Sequence, residues 1–516
     1  MSQQIIRLGI GLMVAYLVLF AQLNRLQFFS AEALEAHPAN SRPLVEDFGA
    51  PRGEIRAADG TVLARSVDLE EGVVERQREY PLGDLFAEVT GFVSFDAGAD
   101  GLESTFDDAL RGDRNALSDG LRELLGGSST TADVNTTLSI ELQQAARDAL
   151  GERNGSVVAL DPSTGEILSL WSFPSYDPNA LANVDNAAAR SARQNLLADP
   201  NNPLLPRTYR EVYFPGSTFK MVTAAAVLEE DIVSLDTPVF ASADSYTPPL
   251  TDRPFGNFAG STCGGPLVDL IRVSCNSGFA QLAVELLGGE RLVATAEDFG
   301  FNDVPPIDLP AAAESVMPTD FGASLGTDVE LSPDLAAQFD PLPEPVRLTD
   351  NIPALAQSSS GQFDVRATPL QMALVAATIA NGGDVPRPHV VGSVVDSEGA
   401  VIFAADTDPW RNAIGLDTAA ELRESMLGVV ASGTGQSVAV DGLIVGAKTG
   451  TAQIAESQDA THAWVIAFAG DTIEEPSLAV AVLVEADTSL GEQTGGRVAG
   501  PIAQELITAW AESISQ

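Results

Sequence analysis

Apolar positions follow three different periods along this chain. From Ile5 to Leu23 almost every position is apolar, broken by Arg7 and Gln22. A helix of about 19 residues spans roughly 28 Å, close to the hydrocarbon thickness of a bilayer. The stretch reads as an uncleaved anchor with Arg7 snorkelling to the near face. A cleaved signal sequence fits less well, because the run is long and no small-x-small site follows it before Phe28 and Phe29. Residues 1–4 are then expected in the cytoplasm, too few for a signalling domain there, and everything past Asn24 outside.

Beyond the anchor the period falls to two. PRGEIRAADGTVLARS from Pro51 reads as two short strands around an Asp59-Gly60 turn, and a polar, irregular stretch leads to GLESTFDDALRG at 101–112. Residues 24–137 are thus expected to form an extended β-rich module. The string at 128–137 has the composition of a linker or edge strand. Ser139 then caps a helical pattern through Leu142, Ala145, Ala146, Ala149 and Leu150, opening a second unit over 138–516. That unit begins with a hairpin pattern, SVVAL-DPSTG-EILSLWS, and ends with three more strand patterns, LIVGAKTGTAQIA, HAWVIAFAG and LAVAVLVEA. These predict an antiparallel sheet of five strands. Helical patterns at Thr218–Glu229, Gly278–Leu287 and Ala499–Glu512 are segregated from the strands, so the fold class is α+β. Residues 302–351, rich in Pro and Asp, are expected to make a long surface excursion.

Composition sharpens this picture. The chain has 516 residues, 45% hydrophobic and 19% charged, which is enough apolar material for two or three folded units. Its 28 basic and 72 acidic residues leave a net charge of −44, which repels phosphate backbones and excludes nucleic acid as a partner. Of the basic residues 26 are arginine, and the two lysines are Lys220 and Lys448. A guanidinium does not lose its proton in proteins whereas a buried ammonium can, so these two positions are the first chemical suspects. Cys263 and Cys275 form a close pair that is a disulfide candidate outside the cytoplasm, the alternative being two buried free thiols. With three scattered histidines they make no metal pattern, and no cofactor motif is present.

Around Lys220 the chain reads Pro-Gly-Ser217-Thr-Phe-Lys220, followed by an alanine-rich helical pattern. Helical side chains lean toward the N-terminus, which brings a lysine one turn on back toward Ser217, a nucleophile beside a candidate base. Lys448 opens Lys-Thr449-Gly450-Thr451 inside a strand pattern, an odd place for a charge followed by a glycine unless another backbone or a ligand comes close. The bland reading is an edge-strand gatekeeper. Ser274-Cys-Asn276 lies at a break between two helical patterns and alone could be an ordinary N-cap. Each motif is weak by itself. Together, in the order S-x-x-K, S-x-N, K-T-G, they are the trio of penicillin-binding proteins and serine β-lactamases.

On these residues the chain resembles a class B penicillin-binding protein of the actinobacterial penicillin-binding protein A type. The likeness runs through PRGEI, DGTVLA and GLE in the first module and through VVALDPSTGEILSLWSFPSYDPN, PGSTFK, SCN, GQ at 361–362, TPLQMA, NGG and HAWVIAFAG in the second. It implies a transmembrane anchor, a pedestal at 24–137 and a penicillin-binding transpeptidase domain at 138–516. It also implies that Ser217 attacks the penultimate D-Ala carbonyl of a peptidoglycan stem peptide and that Lys220 is the base. Ser274 and Asn276 would relay the proton and hold the substrate amide, Lys448 would supply positive potential, and Thr449, Gly450 and Thr451 would bind substrate, with the Thr449 and Thr451 hydroxyls on its terminal carboxylate. The backbone N–H groups of Ser217 and Thr451 would form an oxyanion hole. β-Lactams would acylate the same serine, and a membrane glycan polymerase or division-complex protein would be the partner.

Three further patterns fit less well. Gly322-Ala-Ser324-Leu-Gly326 matches a nucleophile elbow but lies among Pro and Asp without a buried strand before it. The acidic run Asp96–Asp108 lacks calcium-loop spacing and reads as a solvated loop. His462, at a strand start, reads as structural. A β-lactam hydrolase of the same fold would have no use for the pedestal. A non-catalytic scaffold would not need the complete trio, and an antibiotic sensor would be expected to carry a cytoplasmic signalling domain.

Overall fold

The computed structural model describes residues 2–25, 48–70, 74–112, 131–454, 457–487 and 493–515. Phe28, Phe29 and residues 128–130 lie outside them. Helix α1, Ser2–Asn24, carries the first apolar run; Ile5–Asn24 has a mean hydropathy of 2.0 and is long and apolar enough to cross a membrane.

The first module is built on a six-stranded sheet in the spatial order Val401–Ala404, Val391–Asp396, Ala132–Thr136, Ile55–Arg56, Val62–Asp68, Arg76–Glu79. The Asp59-Gly60 turn joins two antiparallel strands as expected, with Gly60 at φ +85°. The edge-strand reading of 128–137 is corrected. Ala132–Thr136 is an interior strand, parallel to Ile55–Arg56 on one side and antiparallel to Val391–Asp396 on the other. Its period-two pattern buries Ala132, Val134 and Thr136, and its second neighbour comes from more than 250 residues away, which no local pattern announces. The sheet therefore draws strands from both sides of residue 137.

Two motifs of this module meet at one buried carboxylate. Arg52 Nε donates to Glu103 at 2.9 Å, Arg78 Nε donates to its other oxygen, and Arg78 Nη1 also reaches Gly53 O at 2.8 Å. All three side chains are buried. Gly53 is required here, because a Cβ would stand 1.9 Å from Ala132 O. The acidic run is solvated at Asp96 and Asp108 as expected, while Asp100 and Asp107 are half-buried in pairs with Arg210 and Arg52.

The second sheet has the five antiparallel strands predicted: β1 Gly155–Leu160, β2 Ile167–Phe173, β3 Ile444–Ile454, β4 Ser457–Gly470 and β5 Leu478–Val484, in the order β3-β4-β5-β1-β2. Every residue of β1 and β5 is buried, so both faces are covered. Helices α2, Ile140–Leu150, and α7, Gly495–Ile514, pack together against the sheet, and α6, Pro369–Ala380, packs against the same central strands. Ser139 caps α2 by accepting the N–H of Leu142 at 3.2 Å. Helix α3, Lys220–Glu229, and the broken pair α4, Leu267–Val273, and α5, Asn276–Leu282, complete the helices that matter for the cleft. Within the excursion at 302–351, Ser324–Asp328 pairs with Arg347–Thr349 as an exposed ribbon, while Leu309, Met317 and Val346 are buried.

Replacing Glu103 by Ala should leave Arg52 and Arg78 as buried cations without their shared partner. The expected loss is about 3–5 kcal/mol of stability. Chemical unfolding of the variant against the parent checks it, and a change under about 1 kcal/mol, the scale of an exposed pair, would contradict the cluster's role.

Candidate active site

The turn that carries Ser217 is made possible by glycines. Gly216 has φ +55° and opens a 3-10 turn, Gly216–Thr218, that runs directly into α3. Its N–H donates to Gly361 O at 3.0 Å, and a Cβ on Gly361 would stand 2.3 Å from Gly216 O, so the Gly361-Gln362 motif buttresses the turn from behind. Just upstream, Tyr213 Oη donates to Glu485 at 2.7 Å, Arg207 pairs with the same carboxylate, and Trp464 Nε1 donates to Phe214 O at 3.0 Å. Ser217 is held half-buried at the lip of a cleft of about 890 Å³.

Strand β3 forms the opposite wall. At Gly450 a Cβ would meet Pro215 O at 2.9 Å and the side chains of Thr218 and Trp464 at 3.0 Å. The glycine after Lys448 thus answers the close approach of another backbone, as the strand pattern anticipated. β3 is an edge strand, yet Lys448 is fully buried, so the gatekeeper reading fails.

Ser274 is not an N-cap. It ends α4 in the left-handed conformation, φ +60° and ψ 45°, and Cys275 occupies the N-cap position of α5. A non-glycine residue there stores strain, and here the strain serves an arrangement. Lys220 Nζ donates to Ser274 O at 2.8 Å and to Asn276 Oδ1 at 2.6 Å, with Ser274 Oγ at 3.4 Å. Lys448 Nζ lies 2.9 Å from Ser274 Oγ and donates to Thr449 O at 3.0 Å. Asn276 Nδ2 donates to Gly256 O at 3.1 Å, which fixes its oxygen toward Lys220. The S-x-N motif therefore binds both lysines at once. Ser217 Oγ has no hydrogen-bond partner among the described residues, and Lys220 is held by Ser274 and Asn276 rather than by the serine.

Burial sets the protonation of both lysines. It holds the Lys220 ammonium well below the ordinary 10.5, with the charge of Lys448 adding to the effect. Burial alone brings Lys448 down to about 7. A neutral Lys220 has two N–H groups, which match its two carbonyl acceptors, and keeps one lone pair for a proton.

Cys263 and Cys275 are joined, with Cα atoms 5.8 Å apart, so the bond anchors the residue between Ser274 and Asn276. Thr449 Oγ1 shares a 2.6 Å hydrogen bond with Thr434 Oγ1, and both residues line the cleft with Thr451. Sequence reading missed Thr434. Its Ser432-Gly-Thr-Gly435 setting after a helical pattern was a visible signal, but an ordinary helix stop looks the same. It also missed the cleft wall at Phe255–Ala259 and the segment Thr494–Arg497. Ser324 is exposed on its ribbon and does not line the cleft. His462 accepts the N–H of Ala486 at 3.0 Å and meets Tyr213 edge-on; burial lowers it to about 4, so it stays neutral at pH 7.

A helix-borne serine and two buried lysines, set against the edge strand of a five-stranded antiparallel sheet flanked by helices, define a serine acyl-transfer fold of the penicillin-recognising class. The penicillin binding protein transpeptidase domain family matches residues 155–508, and the penicillin binding protein A dimerisation domain matches residues 52–134. The chain belongs to the penicillin-binding protein transpeptidase family. It is 37% identical to the peptidoglycan D,D-transpeptidase PbpA of Mycolicibacterium smegmatis, with 99% of each chain covered. It is 36% identical to the protein of that name from Mycobacterium tuberculosis, again over 99% of each. The structure of penicillin-binding protein A from M. tuberculosis as its imipenem acyl-enzyme complex superposes with a TM-score of 0.76 at 35% identity. That match covers 90% of this chain and 99% of the other.

The disulfide closes a loop with a sequence separation of 12 and contributes about 3 kcal/mol in the chain-entropy picture. Thiol alkylation of unreduced, denatured protein should add no label, and two labels after reduction. Label before reduction would remove the anchor from Ser274 and Asn276.

Proposed function

We propose that this chain is a membrane-anchored peptidoglycan D,D-transpeptidase that works through an acyl-enzyme on Ser217. The observation that carries the reading is the binding of Lys220 and Lys448 to one serine, Ser274, beneath the cleft that Ser217 borders. A neutral Lys220 takes the Ser217 proton as Oγ bonds to the penultimate D-Ala carbonyl of a donor stem. The C–N bond to the terminal D-Ala then breaks, and the proton passes through Ser274 to the leaving amine. An amine of a second stem attacks the ester, loses its proton to the same base, forms the cross-link and frees Ser217. Backbone N–H groups of Ser217 and Thr451 face the developing oxyanion, Asn276 holds the substrate amide, and the Thr449 and Thr451 hydroxyls receive the terminal carboxylate with Lys448 supplying positive potential from beneath. A β-lactam enters the same path and stalls at the ester.

In this reading residues 1–4 are cytoplasmic, 5–23 span the membrane, 24–137 raise the catalytic unit, and 138–516 carry the chemistry outside. A disulfide suits that oxidising side. A membrane glycan polymerase or another cell-wall assembly protein supplies the nascent strand to be cross-linked.

Penicillin-treated protein should carry its adduct on the peptide containing Ser217, read by mass spectrometry; an adduct elsewhere would remove the nucleophile. The acylation rate should rise with pH as Lys220 loses its proton and fall as Lys448 loses its own, near pH 7 in the free enzyme. Lys220→Arg should cost about 4 kcal/mol or more, roughly a thousandfold. Lys448→Arg should retain more activity and lose the descending limb, because a guanidinium does not titrate there. A Lys220→Arg rate within about tenfold of the parent would show that Lys220 is not the base.

A further inference from the structure

The lining of the cleft has an unusual charge balance. Among the described residues that form it there is no carboxylate and one charged side chain, Arg497, in a protein of net charge −44. Arginines of neighbouring elements are engaged: Arg207 holds Glu485, Arg210 holds Asp100 and Arg272 holds Asp269. The Arg497 guanidinium is exposed and has no hydrogen-bond or ion-pair partner among the described residues.

Its backbone is placed by close packing. A Cβ on Gly495 would stand 2.1 Å from Trp464 O and 2.6 Å from Gly450 O, and one on Gly496 would stand 2.4 Å from Thr434 O. Thr449 Cγ2 is 3.9 Å from the same position on Gly496, and Ser437 Oγ donates to Gly496 O. Two glycines therefore seat this segment against the lysine-bearing strand, and Arg497 follows at once. It is rooted beside the Thr434–Thr449 hydroxyl pair, at the end of the cleft where the proposed function puts the donor carboxylate. A guanidinium fork matches a carboxylate in bidentate geometry, which a lysine or a threonine cannot offer.

We infer that Arg497 is a substrate-binding residue that pairs with the terminal carboxylate of the donor peptide and sets the preference of the cleft for carboxylate-ended over neutral ligands. This rests on the transpeptidase reading of the cleft. It assigns a local attraction to a protein whose overall field repels anions.

The test compares acylation of the full-length protein by benzylpenicillin and by its neutral methyl ester. Arg497→Gln should slow the acid at least about tenfold and the ester less than about threefold, with Arg497→Lys between for the acid. Added salt screens the overall repulsion in both proteins but the Arg497 attraction only in the parent, so the acid's rate should rise more with salt in Arg497→Gln than in the parent. Where the ester reacts too slowly to follow, the salt dependence decides by the same criterion. Equal slowing of acid and ester, unchanged rates or an unaltered salt dependence would overturn the inference. So would an effect confined to the second step, seen when an acceptor amine with its own carboxylate is added. Failure of penicillin to acylate Ser217 in the parent would instead overturn the transpeptidase reading, so the two failures are distinct.

Discussion

Two amines that cannot both be comfortable as cations share one serine, and most of the second unit is arranged around that conflict. Lys220 and Lys448 are both fully buried and both reach Ser274. Bringing them there requires β3 to press against the Ser217 turn, which only glycine at 450 allows. It also requires Ser274 to adopt a left-handed conformation so that its carbonyl and hydroxyl serve different amines. The disulfide at Cys275 and the buttress at Gly361 hold the two sides of this arrangement in place.

The arrangement costs stability and returns chemistry. Both lysines have folded-state values below the 10.5 of an unfolded chain, so the unfolded state binds more protons between those values and 10.5. Stability from these groups therefore rises with pH across that window, from about 7 upward for Lys448, and the penalty is fully present below it. The depression favours the neutral amine of Lys220 that can accept a proton, whereas Lys448, brought down to about 7, gives positive potential only while it stays protonated. Arginine cannot accept a proton in place of Lys220, and in place of Lys448 it would keep the charge but not the compact geometry, which fits two lysines surviving in a chain that otherwise uses 26 arginines.

What was legible from sequence was local or carried by motif. The Asp59-Gly60 turn, the Ser139 cap, the five strands and the three motif clusters each announce themselves through a period, a breaker or a residue type. What was missed depends on distant partners. Ala132–Thr136 looked like an edge because its neighbour at 391–396 is remote in sequence, and Ser274 looked like a cap because its two lysine partners come from different elements. Thr434 and Arg497 carry no pattern that separates them from an ordinary loop. They reach the cleft only because glycines at 433 and 496 let their segments pack against Arg272 and Thr434.

A chain with two lysines offers an unusually direct test of the central conflict. Protein grown with 15N-labelled lysine should show two side-chain signals in a pH titration followed by NMR. The account predicts that the Lys448 signal titrates near pH 7 and that of Lys220 far below 10.5, each assigned by its Arg variant. Two signals that both titrate near 10.5 would contradict it, because solvated ammonium groups could not be held on one buried serine.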